Sequence, residues 1–175
     1  MTIIVRRRAA LAAGICAAIA ALVIPWVPTA RLITRDGQTL YRAPPLGRVV
    51  WICYTHSVNR TLVEDGFTID DSGVKLMMSR YRDYGAGIAQ PEGDQTLEIR
   101  DGFMELGNIN RHMPVVWTYT GRTAGHYLRL GDGETRVEFD SLTEPGCLIG
   151  LSPGRDSPIM LVSDALIRLA INHDQ

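Results

Sequence analysis

Residues 49–55 constrain this chain more than any other stretch: seven residues, all β-branched, aromatic or cysteine. Such a run reads as a strand. Side chains alternate across a strand, so Val50, Ile52, Tyr54 and His56 share one face, and Val49, Trp51, Cys53 and Thr55 the other. Both faces are apolar, which predicts a central strand covered on both sides. Polar groups crowd together where this strand ends, with His56, Ser57, Asn59, Thr61 and Asp65 in close succession. Ser, Thr and Asn side chains bond neighbouring backbone and favour turns over ladders. Three readings of His56 and Ser57 follow: a locked structural corner, a contact for a ligand or partner, or catalysis.

The rest of the chain has a strand-and-turn rhythm. Phe67 and Ile69 alternate with Thr68 and Asp70; after Asp71, Ser72 and Gly73, apolar Val74, Leu76 and Met78 alternate in turn. That pattern predicts a hairpin, and Asp101-Gly102 predicts a second between residues 97–100 and 103–106. Residues 115–120, 126–130, 135–140 and 147–151 are further strand candidates, while 31–46 reads as a connector with an Asp36-Gly37 turn and Pro44-Pro45. From Ser157 the chain fits both a helix begun at Ser157-Pro158 and an alternating strand through Ala165, Ile167, Leu169 and Ile171. Closely spaced short strands predict a mainly β domain, an antiparallel β-sandwich or barrel, over residues 31–175.

Residues 1–30 are different. Arg6, Arg7 and Arg8 precede an uncharged stretch, 9–27, which as a helix would rise about 28 Å, close to one hydrocarbon core. The arginines would keep the N-terminus in the cytoplasm. A retained transmembrane signal-anchor and a signal peptide cleaved near Pro28-Thr29-Ala30 both fit, and either places the body outside the inner membrane, in the periplasm or beyond. In an oxidising compartment Cys53 and Cys147 become candidates for a disulfide; two free buried cysteines fit equally well.

Several classes lose support. From residue 31 onward 15 basic residues face 19 acidic ones, a charge of −4 that disfavours nucleic acid as a partner. The four histidines show no H-x-H or H-E-x-x-H spacing, so no metal is expected. Gly85 and Gly87 flank Ala86 and would leave backbone N–H groups uncovered, as anion-binding nests do, or serve a tight bend. Without a strand–helix context the pair predicts no nucleotide cofactor. His56, Ser57 and Asp65 supply the residue types of a serine hydrolase, but there is no G-x-S-x-G elbow. Arg80, just before the glycine loop, is suited to pairing with a carboxylate.

The pattern His56-Ser57-Val58-x-x-Thr61-x-Val63-x-Asp65-x-Phe67, followed by Tyr84-Gly85-Ala86-Gly87, resembles the Domain of Unknown Function 1850 family over about residues 46–130. Leu62 stands where that family usually has Pro, Asp65 where it has Glu, and Ile88-Ala89 where Pro tends to follow. Members are often encoded beside TAXI-type TRAP transporters. The resemblance therefore implies an accessory or binding module of an organic-acid uptake system, with a TRAP permease or substrate-binding protein as partner and a carboxylate as ligand. His56, Ser57, Thr61, Asp65, Arg80, Gly85 and Gly87 are the candidate binding residues. A small periplasmic hydrolase using Ser57 and His56, and a structural envelope protein, are the alternatives.

Overall fold

The computed structural model describes residues 2–44, 47–83, 90–121, 123–133 and 136–173. Within them lie two antiparallel sheets, both open, so the architecture is a sandwich rather than a barrel. The narrow sheet has the order β2-β1-β12-β9, built from β1 (Val27–Ile33), β2 (Thr39–Ala43), β9 (Val116–Tyr119) and β12 (Leu148–Asp156). The broad sheet runs β11-β10-β3-β4-β5-β7-β6. Its strands are β3 (Val50–Thr55), β4 (Leu62–Asp70), β5 (Gly73–Tyr81), β6 (Thr96–Arg100), β7 (Phe103–Gly107), β10 (Tyr127–Leu130) and β11 (Arg136–Glu138); β8 (Arg111–Met113) also pairs with β5.

The core forms where the two sheets face each other. Ala30, Leu32, Tyr41, Ala43, Ile149 and Leu151 of the narrow sheet pack with Val50, Ile52, Phe67, Val74 and Leu128 of the broad one. A smaller apolar cluster of Val63, Tyr81 and Leu106 belongs to the broad sheet alone. Four strands cover only part of a sheet of eight, so one end of its inner face is left to a separate cluster.

The run at residues 50–55 is the central strand its composition predicts, and the two predicted hairpins are present. Asp101 and Gly102 both have positive φ, +52° and +77°, which matches the right-handed twist of the flanking strands. Other expectations are corrected or completed. Residues 31–43 of the supposed connector belong to the β1–β2 hairpin. Residues 115–120 and 126–130 supply strands to different sheets, β9 to the narrow one and β10 to the broad one. The segment after Ser157 is a helix, α2 (Pro158–His173), whose first amides bond the Ser157 carbonyl with Pro158 at the first helical position.

The N-terminal helix α1 (Thr2–Val23) also exists, but it ends before the uncharged stretch does. Its uncharged part, 9–23, rises only about 22 Å, and no helix among the described residues is long and apolar enough to cross a membrane. The chain divides into two compact units, residues 29–154 and residues 1–28 with 155–175. The latter holds both helices.

Candidate functional site

The polar turn after β3 is closed by backbone bonds: the His56 amide donates to Thr61 O and the Arg60 amide to His56 O, with Arg60 at φ +53°. His56 Nδ1 accepts from the amides of Val58 and Asn59, at 3.3 and 3.4 Å. The ring thus performs the turn-locking role, as an Asx side chain would. With Nδ1 an acceptor, a neutral imidazole carries its proton on Nε2. That is the wrong tautomer for a base oriented through Nδ1–H, and Ser57 points outward, exposed.

Asp65 is not part of this turn. It pairs with Ile52 on one side and Ser79 on the other, four residues along the strand from Thr61, or about 13 Å. Gly85 and Gly87 lie outside the described residues. Among the candidates, then, His56, Ser57 and Thr61 come together and Asp65 sits elsewhere.

Asp65 occupies an unusual place. Its row on the inner face runs Ile52, Asp65, Ser79, Leu106, a polar pair between two apolar side chains. Ser79 Oγ donates to Asp65 Oδ1 at 2.6 Å. Burial raises the Asp65 pKa, and the Ser79 bond only partly opposes this. Burial beside Asp65 also raises the phenol of Tyr54. These groups line a groove of about 640 Å³ at the end of the sheet the narrow layer leaves uncovered, together with Tyr81, Gln95 and Arg111. Behind it Tyr54 stacks on His126, centroids 5.3 Å apart, and His126 on Phe139 at 6.1 Å. Among the described residues His126 Nδ1 is buried without a partner, and burial lowers the pKa of the ring.

Arg80 faces the other way. On the outer face, neighbouring strands align Tyr127, Cys53, Glu64, Arg80 and Glu105 in one row, with Arg129, Trp51, Gly66 and Met78 in the next. Arg129 Nη2 donates to Glu64 Oε1 at 2.7 Å, and Arg80 Nε to Glu105 Oε2 at 2.6 Å. Both guanidinium groups lie over the Trp51 ring, 4.7 Å from its centroid for Arg80 and 5.2 Å for Arg129. The second cover of the central strand is therefore arginine stacked on indole rather than an apolar layer. Cys53 is fully buried in this row, and burial with the Glu64 charge pushes its thiol up to about 11. It faces away from the narrow sheet, and Cys147 is exposed just before β12, so both cysteines are free and the disulfide does not form. Among the described residues no group of His, Cys, Asp and Glu converges as a metal site would.

Residues 50–137 match the family described as Domain of unknown function (DUF1850). The chain belongs to the DUF1850 family. The matched span starts with β3 and ends inside β11, so this DUF1850 segment contains the broad sheet, with its groove on one face and its arginine–tryptophan row on the other. No curated protein and no solved structure matches the chain.

The sequence reading missed Glu64, Ser79 and Arg129. Register alone brings them to their partners: Glu64 and Arg129 are 65 positions apart.

Proposed function

We propose that this DUF1850 protein is a non-enzymatic binding module, an accessory of a TAXI-type TRAP uptake system that takes a small organic acid in the Asp65 groove. The observation that carries this reading is the Asp65–Ser79 pair set in an otherwise apolar row and facing the groove. A buried polar pair contributes little to a core that apolar residues would fill as well, so its presence points to a ligand. Arg111 supplies the cation for a carboxylate, and Asp65, Ser79 and Tyr54 supply acceptors and donors for a hydroxyl or carbonyl beside it.

The body lies outside the cytoplasm in this proposal, held at the membrane by its N-terminal helix. Three features support it. Arg6, Arg7 and Arg8 precede the apolar part of α1. Leu11, Ile15 and Ile19 of α1 are exposed, as are Ile159, Val162 and Leu166 of α2. Cleavage after Ala30 would remove the first four residues of β1, of which Thr29 and Ala30 are buried. That supports retention of the leader.

The test is organic-acid uptake in cells carrying Asp65→Asn or Arg111→Met, with folded protein quantified alongside. Uptake should fall while folded protein and permease remain. Normal uptake after deletion of the whole gene, with no transporter component co-purifying, refutes the proposal.

A further inference from the structure

We infer that the outer face of the broad sheet carries a second site, which binds an oxyanion of a small molecule at Arg48, Arg80 and the Trp51 indole N–H. A cavity of about 560 Å³ opens there, lined by Arg48, Trp51, Met78, Arg80, Gly131 and Asp132 among others. Trp51 is only 3% exposed, yet its Nε1 has no hydrogen-bond partner among the described residues. A buried N–H left unpaired costs free energy that a bound acceptor would recover.

The surroundings are built to hold these groups still. Glu105 fixes Arg80 through Nε, and Arg129 spans from Glu64 to the Gly131 carbonyl, donating at 2.7 and 2.8 Å. The Gly131 amide donates to Val49 O at 2.7 Å, so the turn at the cavity rim is tied to the strand beside Trp51. Arg48 packs against that turn: a Cβ built on Gly131, at φ +59°, would lie 3.0 Å from Arg48 Cδ. Arg48 itself has no ion-pair partner among the described residues. The other two arginines have their charge matched by Glu64 and Glu105. Among the described residues Arg48 is thus the cation left for an incoming anion, and Asp132 at the lining favours an anion of a single charge.

This site shares no lining residue with the Asp65 groove and stands or falls independently of it. The test is NMR of the full chain in mild detergent, following the three tryptophan indole N–H signals, with Trp26→Phe and Trp117→Phe used to assign Trp51. Acetate and methanesulfonate, both singly charged, are the probes, titrated to about 10 mM, tenfold above a millimolar Kd. Saturable downfield movement of the Trp51 signal is expected with at least one probe. Arg48→Met should weaken it about tenfold, and Asp65→Asn should leave it unchanged. Trp51→Phe keeps a ring under the guanidiniums but lacks the donor, and should weaken binding several-fold by calorimetry if Arg48→Met fails to fold. A Trp51 signal unmoved by both probes, or moved equally in Arg48→Met, overturns the inference.

Discussion

Gly66→Ala measures how rigid the arginine–tryptophan layer is. A Cβ at residue 66 would lie 2.9 Å from Trp51 Cζ3, 3.1 Å from Trp51 Cη2 and 3.0 Å from Met78 Cγ. The Met78 thioether is flexible and yields. The indole does not, because two guanidiniums held by Glu64 and Glu105 lie over it. One extra methyl in a filled site costs about 1–3 kcal/mol. Loss of glycine freedom in the unfolded chain offsets about 0.4–1 kcal/mol of that. A net loss of about 1–2 kcal/mol should lower Tm by about 2–8 °C in a domain this size. Urea and thermal unfolding read both quantities. The mechanism adds a stricter requirement. Trp51→Phe removes the two ring atoms the new methyl strikes, so the double variant should be more stable than the sum of the singles by about 0.5 kcal/mol or more. A Gly66→Ala protein as stable as its parent, or strictly additive singles, refutes the reasoning.

Burial raises the Asp65 pKa, so above the unfolded value near 3.9 the native state holds a proton the unfolded chain has lost, and stability falls as pH rises through the window. Asp65→Asn should abolish that fall, read as urea midpoints from about pH 4 to pH 7. His126 has the opposite sign: burial lowers it, with Asp140 opposing, so stability should drop as pH falls below about 6.5, and His126→Phe should remove the drop. Arg129→Met leaves the Glu64 carboxylate buried and unpaired and should destabilise by about 3 kcal/mol, most of it restored by adding Glu64→Gln. Thiol labelling without reductant should modify Cys16 and Cys147 in the native protein and Cys53 only on unfolding, counted by mass spectrometry.

The fold was legible where turn chemistry and alternation agreed. Asp71-Ser72-Gly73 and Asp101-Gly102 announce their hairpins, and in the first of them Asp70 Oδ1 accepts from the Ser72 amide and hydroxyl as such a turn requires. The β1–β2 hairpin was hidden because its inward residues include small Ala30 and Ala43, and Pro28 and Arg31 interrupt any apolar pattern. The site was less legible, and the reason is register. Counting back from the Asp70–Gly73 closure without a bulge would set Asp65 against Met78. A shift between Gly66 and Phe67 sets it against Ser79 instead. The Met77 carbonyl, at the bulge, accepts the Ile109 amide. No residue type near Gly66 signals that extra residue. Likewise Trp51 reads as an apolar strand residue, and only the pairing of β10, β3, β4 and β5 shows which arginines reach it.

The order in which the sandwich layers are spelled along the chain governs how it can assemble. Ile149 on β12 packs in one cluster with Ala30 on β1, about 120 positions earlier. Closing such a loop costs about 2 kcal/mol more than closing one of ten residues. The β4–β5 and β6–β7 hairpins need no such closure and can form early. A chain made from its N-terminal end would therefore leave part of the apolar face of its broad sheet uncovered until β12 emerges to complete the narrow one. That interval is when it is most exposed to aggregation and most in need of an escort.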